Sequence, residues 1–142
     1  MLDSNSERLR GYGLLALRLV VGVTFIAHGW LKYHGMGMAG TTGFFTSLGI
    51  PMPAVTAWIV ILVEILGGLA LILGVFTLPV GLLLVADMIG VFIFAKKGAS
   101  FVGPKSYELE LNLLAASLAI ALAGPGLFSL RQLLRGKHPP QP

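Results

Sequence analysis

"GYGLLALRLVVGVTFIAHGWLKY", residues 11–33, decides the fold. A helix of about 20 apolar residues crosses a hydrocarbon core of about 30 Å, and this run is that long. Yet it carries Arg18, His28 and Lys32. At about 100° per residue, the three fall within an arc of about 80° on one helix face. Ionisable groups in lipid are costly, so a basic stripe on a greasy helix belongs inside a bundle. The run is too long for the core of a signal peptide. It also ends in "WLKY" without a small-residue cleavage site, so it reads as a retained span.

Three more apolar runs follow. The second opens after "IPMP" and covers about 53–74, the third about 79–95, and the fourth about 107–124. Pro53 and Pro79 suit a first helical turn, where a missing N–H costs nothing. "VFTLP", residues 75–79, is so short that the second and third runs must form an antiparallel hairpin, and "GPG" at 124–126 ends the fourth. The expected fold is all-α, an integral membrane antiparallel four-helix bundle with a long first loop. Residues 1–10 form a cytoplasmic N-terminal segment, 11–130 the membrane domain and 131–142 a basic, proline-rich cytoplasmic tail. In the first loop, Thr41 or Thr42 is expected to cap a short surface helix that Gly49 stops, which reads either as a lid or as a plain interfacial anchor. "LFSLRQLLRG" reads as an interfacial foot and "KHPPQP" as a disordered tail.

Composition agrees. Of 142 residues 56% are hydrophobic and 11% charged, too few polar side chains to cover a water-facing surface. The net charge of +4 comes from residues near the ends of apolar runs, a membrane pattern and not a nucleic-acid stripe. With no cysteine, disulfides, thiol redox and cysteine-ligated clusters are excluded for this chain alone. No metal site is expected. Arg8, Arg10, Arg131, Arg135 and Lys137 flank the ends, while the loop from 34 to 52 has no Lys or Arg. The termini are therefore placed in the cytoplasm, against the counter-signal of Lys96, Lys97 and Lys105 in the third loop.

Each later run also carries a charge. Glu64, in "LVEILGG", and Asp87 sit near mid-span, within about two turns of Arg18 in depth, so Arg18 is expected to pair with one of them. The fourth run places Glu108, Asn112, Ala115, Ala119 and Ala123 on one face. Antiparallel threading sets Glu108 and Asn112 level with His28 and Lys32. Glu110 points the other way and reads as a helix-start carboxylate favoured by the dipole. Two readings of this polar interior stay open: a network that fixes helix register, and a small-molecule site between helices.

At these residues the chain resembles the DoxX family of small four-helix membrane proteins. The resemblance spans about residues 13–130 and rests on "LRLVVGVTFIAHGWLK", "LGIPMP", "LVEILGGLALILGVFT", "YELELNLLAA" and "GPGLFSL". The family's polar positions fall on Arg18, His28, Lys32, Glu64 and Glu108. Arg131 stands where the family often has Asp, and Asp87 lies outside the shared pattern. The resemblance implies a component of a membrane oxidoreductase system, such as a thiosulfate:quinone oxidoreductase or a protein of quinone or catechol stress. The expectation is then a subunit in a prokaryotic cytoplasmic membrane that binds a quinone or similar amphipathic molecule in its bundle. His28, Lys32, Glu64, Glu108 and Asn112 would contact it, and Arg18 and Asp87 would form structural charge pairs. The chain shows no haem or flavin signature, so a reductase subunit would supply electrons. Seams rich in Gly and Ala point to a homo-oligomer. The alternatives are a non-catalytic subunit or chaperone, and a small proton or solute transporter.

Overall fold

Asp3 opens the first helix, its Oδ1 accepting the Ser6 N–H at 2.8 Å. Hydrogen bonds from the Ser6 side chain and backbone hold the Asp3 carboxyl below its ordinary range, so the cap stays charged. Helix α1 therefore begins earlier than the apolar run and covers Ser4–Trp30. The computed structural model describes residues 3–136; the "KHPPQP" tail lies outside the described residues.

The expected first loop is mostly helical. A π-helical turn, Leu31–Met36, continues α1, and Gly37, at φ +72°, redirects the chain. Helix α2, Gly37–Ser47, follows. It starts before Thr41, so Thr41 does not cap it. The Thr41 hydroxyl instead donates to the Lys32 carbonyl at 2.8 Å, back inside the π-turn. A π-turn leaves carbonyls off the regular i→i+4 ladder, and a buried hydroxyl here satisfies one of them. Gly49 ends α2 as expected, at φ +73°.

Helix α3, Pro53–Leu73, has proline in its first turn and stops at left-handed Gly74. Helices α4, Thr77–Phe94, and α5, Glu108–Ala123, follow, and α6, Leu130–Arg135, is capped by the Ser129 hydroxyl. The described residues are all-helical or connecting. Among the described residues, three helices are long and apolar enough to cross a membrane: α1 with its continuation, α3 and α4. Helix α5 occupies the expected fourth run, but its 16 residues extend only about 24 Å at 1.5 Å per residue.

Glycine sets the register. A Cβ on Gly22 would stand 2.6 Å from the Gly68 carbonyl, and one on Gly68 would stand 2.5 Å from the Gly22 carbonyl. Only bare backbone fits this crossing of α1 and α3. Helix α3 also packs on α4, α4 on α5, and α5 touches α1. Between them Val21, Phe25, Leu71, Leu84, Met88, Leu113 and Ile120 form the core. The outward faces are as greasy as the core: Leu66 is 58% exposed and Leu83 54%. Such a surface needs an apolar solvent, which a bilayer provides.

Helix α5 is rotated from the expected orientation. Leu113, Ser117, Ile120 and Ala121 face inward, while Glu108, Asn112, Ala115, Ala119 and Ala123 are exposed. The reason is Gly81 of α4, where a Cβ would stand 2.7 Å from Ala121 Cβ and 2.9 Å from the Ser117 carbonyl. The α4–α5 contact is thus made through Ser117 and Ala121, not through the alanine row.

Candidate functional site

The Gly22–Gly68 crossing brings Gly29 against Glu64, where a Cβ on Gly29 would stand 3.1 Å from Glu64 Cβ. Glu64 is thus level with the last turn of α1 and within reach of Lys32. Lys32 Nζ donates to Glu64 Oε1 at 2.8 Å and to Oε2 at 2.7 Å. Glu64 is 2% exposed. The π-turn and its Thr41 bond hold the lysine over this carboxylate. A buried ion pair survives only with such close geometry, because both ions lose their water.

The pair lies on the wall of a cavity of about 410 Å³, within the size range of small-molecule sites. Phe25 and His28 of α1 and Thr56 and Val60 of α3 form one side. Asp87, Met88, Gly90 and Val91 of α4 and Leu113 of α5 form the other. Phe44 and Phe45 of α2, with Leu48 just after it, also line the cavity. Towards the α2 end, Lys96 and Glu110 complete the lining, with Lys96 Nζ 3.1 Å from Glu110 Oε1 and donating to the Ser106 carbonyl at 2.7 Å. Two carboxylate oxygens here, Asp87 Oδ2 and Glu110 Oε2, are buried without a hydrogen-bond partner among the described residues.

The structure thus brings His28, Lys32, Glu64 and Asp87 together and leaves Glu108 and Asn112 out. Both of these are exposed, and Asn112 Nδ2 donates to the Glu108 carbonyl of its own helix at 2.7 Å. The turn of α5 that buries Leu113 carries Glu110 inward with it. Glu110 and Lys96 were missed by the sequence reading. An apolar-face assignment for α5 through Leu113 and Ile120 would have found Glu110, whereas no local signal marks Lys96.

Arg18 also departs from expectation. It reaches neither Glu64 nor Asp87, because the glycine crossing sets it beside the end of α3. At 1% exposure it meets four carbonyls. Nε donates to Leu71 O at 2.8 Å and Nη2 to Ile72 O at 2.9 Å. Nη1 donates to Phe128 O at 2.9 Å and to Pro125 O. The last carbonyls of a helix lack partners and carry the negative end of its dipole, which a guanidinium satisfies. Left-handed Gly74 makes room, since a Cβ there would stand 2.7 Å from Nη2. Arg18 therefore ties α1, the end of α3 and the "GPGLF" turn together. Asp87 has no part in that clamp and belongs to the cavity.

Sequence comparison agrees with this architecture. The chain is 36% identical to CatD of Bacillus subtilis, provisionally named an oxidoreductase, over 118 residues covering 83% of this chain and 84% of that one. It is 30% identical to the inner membrane protein YqjF of Escherichia coli over 135 residues, 92% of this chain and 98% of YqjF. Identity to the inner membrane protein YphA of Escherichia coli is 32% over 123 residues, 82% of this chain and 86% of YphA. No solved structure matches the chain. The DoxX family model matches residues 13–97, which hold the glycine crossing, Arg18, the Lys32–Glu64 pair and Asp87, and the chain belongs to the DoxX family of membrane proteins.

Proposed function

We propose that this chain is the membrane component of a redox system and binds a quinone or similar amphipathic ring in the cavity beneath α2. The observation that carries the reading is the cavity itself, apolar on most of its walls with two ion pairs, Lys32–Glu64 and Lys96–Glu110, on its lining. That is how a ring with polar oxygens is held: apolar contact for the ring and a few placed groups for orientation. Two of the three Lys32 N–H bonds go to Glu64, leaving one for a ligand oxygen, and His28 on the adjacent wall offers a second polar contact. A bound quinone would supply two-electron, two-proton chemistry, with Glu64 and Asp87 placed to exchange protons. The name of the relative CatD supports the redox assignment.

In this reading α5 is a short fourth span, which completes a four-helix bundle with both termini in the cytoplasm. The Lys96–Glu110 pair weakens the counter-signal in the third loop, since Lys96 is neutralised inside the protein. Electrons come from a partner reductase, as the chain has no thiol to carry them. A second reading, a non-catalytic subunit whose charges fix helix register, is favoured by the two-point Lys32–Glu64 bond joining α1 to α3.

Gly90 separates the two. It lines the cavity, and a Cβ there meets nothing within 4 Å. Gly90→Leu should fill the space and preserve folding, because glycine is the poorer helix former. Binding of a short-chain benzoquinone to protein in nanodiscs is expected to be lost. Wild-type protein that binds no more quinone than empty nanodiscs would establish the register-fixing reading.

A further inference from the structure

We propose that the arginines at the start of α1 and along α6 bind the phosphate headgroups of anionic phospholipid, in the leaflet at that end of the bundle. The proposal stands apart from the quinone reading.

Arg18 is where this surface begins. Its Nη1 donates to the Phe128 carbonyl at 2.9 Å, which pins the turn before α6 to α1. Ser129 then fixes the helix that follows, its hydroxyl donating to the Gly126 carbonyl at 3.0 Å and accepting the Gln132 N–H at 3.2 Å. Phe128 stacks on Tyr12 with ring centroids 4.7 Å apart. Gly11 makes room for the ring, since a Cβ there would stand 3.0 Å from Phe128 Cε2. Arg8 precedes Gly11 by three residues and Tyr12 by four, so it shares the α1 face that meets this turn. Arg131 and Arg135 are one turn apart and share a face of α6.

Charge at this end is one-sided. Arg8, Arg10, Arg131 and Arg135 are exposed, and none forms an ion pair among the described residues. The carboxylates nearby are Asp3 and Glu7 of the first turn of α1, and Asp3 is engaged as its cap. The link between α3 and α4, which meets Ser129 at Gly74, has no charged residue over 74–79. Arg18 beneath adds a cation that bonds carbonyls alone.

The apolar side of α6 selects the partner. Leu130, Leu133 and Leu134 fall on a different side from Arg131 and Arg135. Leu133 is 68% exposed and Leu134 59%. A nucleic acid or an acidic protein would satisfy the arginines and leave these leucines bare. A lipid surface serves both, with the leucines among the acyl chains and the guanidinium groups at the depth of the phosphates. Arginine suits that role, because its planar fork gives a phosphate two parallel N–H bonds.

The test follows thermal unfolding of the full chain in a mild neutral detergent, titrated with phosphatidylglycerol or with phosphatidylcholine of the same acyl chains. Phosphatidylglycerol is expected to raise the melting temperature and phosphatidylcholine to leave it unchanged. Arg8→Gln, Arg131→Gln and Arg135→Gln should each raise the half-effective phosphatidylglycerol concentration about fivefold. The three together should abolish the rise while keeping the wild-type melt in phosphatidylcholine, since these side chains are exposed and unpaired among the described residues. Lys97→Gln with Lys105→Gln removes two exposed charges from the loop between α4 and α5 and should keep the full response. Equal responses to the two lipids would overturn the proposal, and this comparison needs no variant to fold. So would a rise that survives the triple arginine change, or one lost equally in the double lysine change. A rise reproduced by inorganic phosphate or by a polyglutamate peptide would replace the lipid with a soluble anion or an acidic protein, and would overturn it too.

Discussion

Lys32 Nζ sits 2.7 Å from Glu64 Oε2, joining the π-turn that continues α1 to the middle of α3. Each ion is the other's compensation for lost water. Glu64→Gln leaves Lys32 with an unpaired charge and should lower stability by about 3–5 kcal/mol, the usual cost of breaking a buried pair from one side. Lys32→Met combined with Glu64→Leu should cost clearly less than the single change. Thermal melts in detergent measure the difference, and a double variant as unstable as the sum of its singles would deny the pairing.

Arg18 and Glu64 are independent. Arg18 spends its donors on the carbonyls of Leu71, Ile72, Pro125 and Phe128, far from the cavity acids. Arg18→Leu should be severely destabilising, by more than about 3 kcal/mol, because several charge-assisted bonds and helix-end carbonyls lose their partner together. Its effect should add to that of Glu64→Gln within about 0.5 kcal/mol, as for sites without a shared partner. Arg18→Lys should rescue little, since one ammonium cannot reproduce the fork.

The glycine crossing predicts a graded series. Gly22→Ala and Gly68→Ala each push a methyl into a backbone carbonyl under 3 Å away and should destabilise the α1–α3 pair by about 1–3 kcal/mol. Gly13 on the same helix has nothing within 4 Å of its Cβ position. Gly13→Ala should therefore be neutral or mildly stabilising, a control for helix propensity.

Thr41→Val keeps the shape and removes the hydroxyl that bonds the Lys32 carbonyl. The stability loss should be about 1 kcal/mol. Quinone affinity should fall as well, because the π-turn that aims Lys32 loses its tie. Unchanged affinity in a folded Thr41→Val protein would show that Lys32 is aimed by Glu64 alone.

The apolar runs made the helices legible: Pro53, Gly74 and the "GPG" break mark helix ends that the structure reproduces within a residue or so. The polar face of α1 was legible too, because Arg18 and Lys32 both turn towards α3. The partners were not. A mid-span position put Glu64 within about two turns of Arg18 in depth, but the Gly22–Gly68 contact sets α3 so that Glu64 meets Lys32. Nothing in a sequence announces that an arginine will choose carbonyls over carboxylates. Helix α5 misled for a related reason: its small residues looked like a seam, but burial follows Leu113, Ser117 and Ile120, and Glu110 replaces Glu108 in the cavity.

The most direct test of the cavity as the binding site is photolabelling of protein in nanodiscs with an azido-benzoquinone, followed by peptide mapping. Adducts should concentrate on the cavity-lining stretches 44–60, 86–96 and 109–113, be displaced by unlabelled quinone, and vanish in Gly90→Leu. Labelling that falls instead on the lipid-facing residues around Leu66 and Leu83, and persists unchanged in Gly90→Leu, would contradict the account.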